Sequence, residues 1–245
     1  MMQRITEAFH RYFRLVEPST PELMKQVYAL RYHVYCLETR FEAPEKFPDE
    51  LEKDQYDEQA VHSLIQHRET GLYAATTRLI LADPEKIERP FPIELHSRID
   101  QPDKLQAIPR QHLGEVSRFC VSRDFKRRAD EPGTLAGLPS DIGQHCWNDD
   151  ERRSFPVITL ALVACLVRMT VEHGVTHWYA VMEPSLIRYL NKLGMHFTPI
   201  GPISDYHGQR IPCIIKVQDL IDGVNEKDQQ EWELITDGGR FAKVG

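Results

Sequence analysis

Glu115-Val116-Ser117-Arg118-Phe119 predicts a β-strand and yet carries a carboxylate and a guanidinium three positions apart. Val116 and Phe119 favour strand structure, and ionised groups are rare among such residues unless they are paired or take part in chemistry. Strict alternation puts Glu115 and Arg118 on opposite faces of the strand. A β-bulge between them would turn both charges to one side and release backbone N–H groups. The rest of the chain must then supply partners for this pair.

Length and composition indicate a globular protein. The chain has 245 residues, enough for one large domain or two small ones, and 41% hydrophobic with 27% charged residues is an ordinary balance. A formal net charge of −7 argues against nucleic-acid partners, which select basic surfaces. No apolar run is long enough to span a bilayer, and residues 1–14 lack the apolar core of a signal peptide. Five scattered cysteines without a CxxC pair fit a reducing compartment, so we expect a cytoplasmic protein with at most peripheral membrane contact.

Upstream of the charged strand, local patterns predict three strands, one long helix and one short helix within residues 83–109. Ser19 and Glu22 have capping-box spacing and open the helix, on which Arg31 and Tyr35 lie one turn apart and share a surface. Arg78 interrupts an otherwise apolar strand. The predicted elements are a strand over 12–17, a helix from Ser19 to Leu37, a loop over 38–53 and a hairpin of strands 61–66 and 72–81.

Downstream, a polar excursion separates the charged strand from alternating strands and helices. Residues 125–153 carry glycine and proline without apolar periodicity and predict a flexible insertion. Ser154 is the expected N-cap of a very apolar helix. The further expected elements are a helix over 155–173, a strand over 177–182, a helix that starts at Pro184 and ends before Gly194, strands over 197–200 and 211–217, and a weakly packed tail over 225–245. This order favours one domain over 1–224, with a mixed sheet and helices on both faces.

Charged residues in unusual places are the candidates for function. Any one of them, taken alone, is better explained as a solvated charge or a structural ion pair. Taken together they contain as many acids as arginines, and their elements can converge on one site. They are Arg31, Tyr35, Asp54, Asp57, Arg78, Glu115 and Arg118.

The order and spacing of these residues resemble the acyl-homoserine lactone (autoinducer) synthases. The resemblance runs through Arg31, Tyr35 and Phe41, then Glu52-Lys53-Asp54-Gln55-Tyr56-Asp57, Arg78 and the stretch Glu115–Phe119, and it spans about residues 20–218. The chain is also similar to the long-chain N-acyl amino acid synthases, and it looks like the bacterial acyltransferases associated with exosortase/PEP-CTERM systems. The resemblance implies the three-layer α/β (α+β) fold of the GCN5-related N-acetyltransferases (GNAT).

Two aromatic positions depart from the lactone synthases. Tyr35 stands where they usually carry phenylalanine, and Phe41 where they carry tryptophan. Both belong to the region that shapes the acceptor pocket in that family. An amino acid or a related amine is therefore the expected acceptor, and lactone synthesis from S-adenosylmethionine is the alternative. A non-catalytic acyl-chain-binding module is a further alternative.

Acyl transfer from a thioester to an amine requires a base, donors for the oxyanion and in-line placement of both substrates. Glu115 is the expected general base, and backbone N–H groups between Ser117 and Phe119 are the expected oxyanion donors. Arg118 completes the catalytic set. No histidine has a recognisable spacing to Ser117 or Cys120, which favours direct transfer over an acyl-enzyme. The expected substrate-binding residues are Arg31, Tyr35, Phe41, Asp54, Asp57, Arg78 and Phe119.

The expected acyl donor is an acyl carrier protein that presents acyl-phosphopantetheine. No glycine-rich turn suited to a pyrophosphate follows Val121, and the family resemblance likewise implies a carrier protein. Such carriers are acidic, so a basic cluster would suit docking, although a solvated loop explains the same residues equally well. The cluster consists of Arg123, Lys126, Arg127, Arg128, Arg152 and Arg153.

No metal site or bound cofactor is expected. His173 and His177 straddle Gly174, so they do not share a helix face as paired zinc ligands do.

Overall fold

The computed structural model describes residues 5–100, 105, 107–125, 151–205 and 208–245. Seven helices within these ranges are used below: α1 Ile5–Tyr12, α2 Pro21–Tyr32, α3 Pro92–His96, α4 Glu151–Glu172, α5 Pro184–Lys192, α6 Val217–Lys227 and α7 Gln229–Ile235. The strands are β1 Phe13–Val16, β2 Ala60–His67, β3 Tyr73–Leu81, β4 Leu113–Val121, β5 His177–Met182, β6 Thr198–Pro199, β7 Ser204–Asp205 and β8 Gln209–Lys216.

The strands form one mixed sheet flanked by helices, as predicted. Their order is β1-β2-β3-β4-β5-β8-β6, with β7 paired to β8. β4 and β5 are parallel, with Glu115 opposite Tyr179, and β5 and β8 are antiparallel. The connection from β4 to β5 contains the helix α4. Parallel neighbouring strands require a long crossover connection of this kind.

The chain forms two compact units. The first consists of Met1–Gln55, His62–Thr77 and Arg118–Cys165, and the second of Tyr56–Val61, Arg78–Ser117 and Leu166–Gly245. In the first unit, buried residues of α2 pack with Leu64 and Cys120. In the second, an apolar cluster includes Tyr56, Phe91, Ile93 and Tyr179. The expectation of a single acyltransferase domain over 1–224 stays a prediction.

Two helix starts differ from the predicted ones. Thr20, not Ser19, is the N-cap of α2, because its side chain accepts the Leu23 N–H at 3.2 Å and Pro21 takes the first helical position. α4 begins at Glu151, so Ser154 lies inside it. Glutamate and arginine are good helix formers, which explains why the helix extends backwards from the apolar run. The predicted insertion over 125–153 is therefore helical from Glu151, and residues 126–150 of it lie outside the described residues.

The prediction of a weakly packed tail over 225–245 is wrong. α6 runs to Lys227, and Asp228 caps α7 by accepting the N–H groups of Gln230 and Glu231 at 2.8 and 3.1 Å. Leu234, Ile235 and Phe241 are buried. The prediction rested on the many charged residues of this segment. Its apolar residues nevertheless recur often enough to give a helix a buried face. In the described ranges, no helix has the length and apolarity that crossing a membrane requires.

Candidate active site

A buried carboxylate, Glu52, holds two arginines in the first unit. Its Oε2 accepts a hydrogen bond from Arg31 Nε, and its two oxygens accept bonds of 2.8 to 3.1 Å from Nε and Nη2 of Arg118. Glu52 and Arg31 are 1% and 0% exposed. Charges this deeply buried persist only when they neutralise one another. Asp54 adds a second acid to Arg118 at 3.1 Å, so two acids face two arginines.

The electrostatics of this cluster favour the charged forms of Glu52 and Arg118. Burial acts to raise the pKa of the Glu52 carboxyl, but the charges of Arg118 and Arg31 and their hydrogen bonds outweigh burial and lower this pKa to about 2. Burial likewise acts to lower the pKa of Arg118, but Glu52 raises it well above its usual value. Glu52 and Arg118 therefore act as fixed charges near neutral pH, rather than as a proton donor or acceptor.

An aromatic pair lies against Arg118. The guanidinium carbon of Arg118 is 5.2 Å from the centre of the Tyr35 ring, and the Phe41 ring meets Tyr35 edge-on at 5.7 Å between centroids. Burial raises the pKa of Tyr35 far above its usual value, so the phenol stays neutral. A π-helical turn, His33–Glu38, follows α2 and brings Tyr35 into the core. The Thr39 N–H bonds the Val34 carbonyl five residues back, as in a π-helix.

The second unit contains its own acid–arginine contact. Arg78 Nη1 lies 2.7 Å from Asp57 Oδ1, and Arg78 Nε donates to Ser117 Oγ at 2.9 Å. The side chains of Arg78 and Asp57 are 2% and 6% exposed. Ser117 is thus fixed as a hydrogen-bond acceptor, which suits the positioning of β4 better than nucleophilic attack.

Glu115 also lies in the second unit and is held by backbone. Its Oε2 accepts the N–H of Ile93, in α3, at 2.8 Å, and the residue is 5% exposed. A general base must keep one orientation towards the proton that it removes. A backbone donor on one oxygen provides such a restraint.

The predicted distortion between Glu115 and Arg118 is present in β4. Arg118 has φ of 49°, a left-handed conformation that is uncommon outside glycine and is a feature of one type of β-bulge. The ladder between β4 and β5 ends at Val116 opposite Ala180, although both strands continue. Pairing of β4 with β5 is thus absent at residues 117–119, where the sequence predicted oxyanion donors. That role, and the placement of both charges on one side of the strand, stay predictions.

The other predicted residues are less informative. Phe119 is half-buried on β4. Arg123 is exposed at the start of a 3₁₀ turn, and its N–H bonds Glu38 at 2.7 Å. Lys126, Arg127 and Arg128 lie outside the described residues, and Arg152 and Arg153 fall in the first turn of α4. The docking role of the cluster stays a prediction.

Sequence reasoning missed Glu52 and Ile93 as site residues. Glu52 belongs to the quoted motif, and a balance of charges could have found it, since Arg31 and Arg118 need more than Asp54 to neutralise them once buried. Ile93 acts through its backbone, which no side-chain pattern reveals. Among the residues that the structure describes, no cluster of three or more histidine, cysteine or acidic side chains has the arrangement of a metal site.

Comparisons with known proteins bear on the fold of the chain. A family model described as an acetyltransferase (GNAT) domain matches residues 30–132. The chain has the GNAT fold. TofI, solved in a ternary complex with an inhibitor and MTA, is 18% identical, with a TM-score of 0.56 over 87% of this chain and 96% of that one. The acyl-homoserine lactone synthase LasI is 18% identical, with a TM-score of 0.55 over 86% and 95%.

An N-acyl amino acid synthase is similar to a comparable degree. FeeM, from uncultured soil microbes, is 13% identical, with a TM-score of 0.52 over 88% of this chain and 96% of that one. No match was found among curated protein sequences. At these identities the likeness concerns the fold. The family match and the GNAT fold together indicate an N-acyltransferase, the class of enzyme that the sequence predicted.

Proposed function

We propose that this GNAT protein transfers a medium- or long-chain acyl group from an acyl carrier protein to the amine of an amino acid or a related small molecule. The observation that carries the proposal is the buried, backbone-held carboxylate of Glu115 at the point where the β4–β5 ladder ends. The sequence looks like the bacterial acyltransferases associated with exosortase/PEP-CTERM systems, and membership of that branch is part of this proposal. A cytoplasmic location follows from these substrates.

The reaction requires no covalent enzyme intermediate. The amine nitrogen attacks the thioester carbonyl carbon while Glu115 takes a proton from nitrogen. The tetrahedral oxyanion is stabilised by β4 backbone N–H groups, and its collapse breaks the C–S bond. The products are an amide and the phosphopantetheine thiol, to which the proton from Glu115 returns.

The acid–arginine cluster around Glu52 and Arg118 suits recognition of an amino acid. Such an acceptor carries a carboxylate beside its amine, and arginines and acids in alternation match both groups. The fixed charges around Glu52 and Arg118 need no reorganisation when a charged acceptor binds. The neutral aromatic pair Tyr35–Phe41 adds an apolar wall against Arg118.

Replacement of Glu115 by glutamine tests the catalytic assignment. An amide cannot accept the proton, so we expect kcat for N-acylation to fall by about 10²- to 10⁴-fold. Product formation from acyl carrier protein and a panel of amino acids is measured by mass spectrometry. Glu172→Gln, at an exposed ion pair of α4, is the matched control and should keep full activity. Full activity of Glu115→Gln would remove Glu115 from the role of base.

Lactone synthesis is the second candidate, because several similar structures are lactone synthases. BjaI, 18% identical with a TM-score of 0.53 over 96% of this chain and 90% of that one, is a CoA-dependent acyl-homoserine lactone synthase solved with SAM and isopentyl-CoA. Lipid extracts of an expressing host separate the two functions. We expect an N-acyl amino acid without a lactone. A lactone that depends on S-adenosylmethionine would reject the proposed acceptor, and a preference for acyl-CoA would reject the proposed donor.

A further inference from the structure

The hydrogen bond that restrains Glu115 depends on a segment that is not stable by itself. Its donor, Ile93, lies in α3, which has only five residues. A single helical turn does not form alone in water, because nucleation costs more than its few hydrogen bonds return. Other contacts must hold the segment that carries the Ile93 N–H.

Glu94 closes this turn. Its Oε2 accepts the Phe91 N–H at 2.9 Å, and the Glu94 N–H bonds the Phe91 carbonyl at 3.0 Å. These two bonds fix the backbone on both sides of Ile93. The direction of the Ile93 N–H towards Glu115 therefore depends on the position of the Glu94 carboxylate.

Arg110 holds that carboxylate from the entrance to β4. Its Nη1 and Nη2 contact the two oxygens of Glu94 at 2.6 and 3.0 Å. Nη2 also donates to the Arg89 carbonyl at 2.8 Å, and Nε donates to the Ile87 carbonyl at 3.2 Å. The guanidinium lies 4.9 Å from the centre of the Phe91 ring. One side chain thus contacts Glu94 in α3 and three residues of the stretch that leads into this helix.

We propose that Arg110 is a positioning residue for acyl transfer, which holds the Glu115 carboxylate in its reactive orientation through Glu94 and the backbone N–H of Ile93. This inference rests on the proposed function, in which Glu115 is the base. A misplacement of about 1 Å in a reacting group can cost 10²-fold in rate. Arg110 and Glu94 are 24% and 21% exposed, so each can be replaced without opening the apolar core.

Substitution of Arg110 separates positioning from stability. We expect Arg110→Ala to lower kcat by about 10- to 100-fold while KM for the amine changes less than threefold, because the substrates still bind. Arg110→Lys keeps the charge but loses the bidentate contact and the stacking, so its kcat should lie between those of Arg110→Ala and the wild type. Arg168→Ala, which removes an exposed α4 ion pair, is the control and should leave kcat unchanged. Thermal unfolding identifies variants that lose activity only through loss of folded protein.

Hydrogen exchange at Ile93 gives a readout that does not need turnover. We expect the Ile93 amide to exchange at least tenfold faster in Arg110→Ala than in the wild type, while α4 amides stay protected. An unchanged Ile93 exchange rate, or a faster rate with kcat intact, overturns the positioning role. A wild-type protein that acylates no amine would instead overturn the proposed function, and the exchange data would still show whether Arg110 restrains Ile93.

Discussion

Glu52 contributes stability because it neutralises two arginines that have little access to water. Removal of one partner from a buried ion pair leaves an uncompensated charge, which costs about 3–5 kcal/mol. Here Arg31 would lose a partner while it is fully buried, and Arg118 would keep Asp54. Substitution at Glu52 therefore affects folding as well as any acceptor site.

The depressed pKa of Glu52 predicts a pH dependence of stability. The folded-state pKa of about 2 lies below the ordinary value of 4.5, so the unfolded state takes up the proton first as pH falls. The stabilisation is complete above about pH 4.5 and is lost as pH falls towards 2, amounting to about 3 kcal/mol in total. Urea unfolding between pH 7 and pH 3 should give a flatter profile for Glu52→Gln than for the wild type.

Glu172→Gln is the matched control for this profile. Its pair with Arg168 is about 40% exposed on both sides, and such pairs contribute little. The control should follow the wild-type profile. Parallel profiles for wild type and Glu52→Gln would contradict the assignment of this pH dependence to Glu52.

The sequence predicted the identity of most clustered charges but not their pairing. Arg31, Asp54 and Arg118 do lie together. The order of residues along the chain does not tell which oxygen meets which nitrogen, because the pairing depends on how the loop over 38–53 folds back. Glu52 was missed for this reason: its backbone N–H bonds the Tyr28 carbonyl of α2 at 3.1 Å, a long-range contact without a local signal.

At the scale of elements, two glycines set how closely α6 approaches the turn after α5. A Cβ at Gly223, in α6, would lie 2.3 Å from the Gly194 carbonyl oxygen, and a Cβ at Gly194 would lie 2.2 Å from that of Gly223. Both distances are too short for any side chain. The approach presses α6 against the turn, which explains how a segment rich in charges is nonetheless packed.

Alanine substitutions separate steric contact from backbone strain. Gly223→Ala should lower the free energy of unfolding by about 1–3 kcal/mol, although alanine alone would favour a helix by about 1 kcal/mol. Gly194→Ala should lower the free energy of unfolding further, because Gly194 also has φ of +86°, which strains a residue with a side chain. Gly174 has φ of +65° and open space around it, so Gly174→Ala tests backbone strain alone. We expect it to lower the free energy of unfolding by about 1–2 kcal/mol. Urea unfolding measures all three, and a stabilised Gly223→Ala would refute the close approach.

Elements with strong periodicity were predicted well, and elements defined by packing were not. β2, β3, β4 and β5 lie within a few residues of their predicted bounds, because apolar and β-branched residues mark a buried strand. α7 was not predicted, because its buried face consists of a few apolar residues that are set among charged ones. Which residues of such a helix are buried depends on the surface against which it packs. The short α3 lies in the proline-punctuated stretch 83–109, where the sequence predicted one short helix, and Arg110 holds it in place.

At the scale of the whole molecule, net charge bears on the donor. A protein of charge −7 repels an acidic carrier protein unless a local basic surface outweighs the rest. The predicted cluster around Arg123–Arg128 would supply this surface, and attraction between exposed charges is screened by salt over about 10 Å at 0.1 M. We therefore expect KM for acyl carrier protein to rise between 50 and 300 mM salt, whereas KM for a short acyl-pantetheine thioester stays unchanged.

Charge reversal tests the same surface. Arg127→Glu should raise KM for the carrier protein by about tenfold, and the charge-matched Arg168→Glu, on α4, should not. Steady-state kinetics with both donors provides the comparison. Equal effects of the two variants would mean that net charge, rather than this cluster, governs the encounter.

The π-helical turn after α2 has a consequence for how sequences of this kind are aligned. A π turn holds one residue more than an α turn, so loss of a single residue from His33–Glu38 would let α2 continue as an ordinary helix. If the lost residue precedes Tyr35, the ring moves by one position and by about 100° around the helix axis, which turns Tyr35 away from Arg118. A one-residue gap at this place in a homologue therefore marks a protein that has lost this aromatic contact. Substitutions in the turn that keep its length preserve the contact.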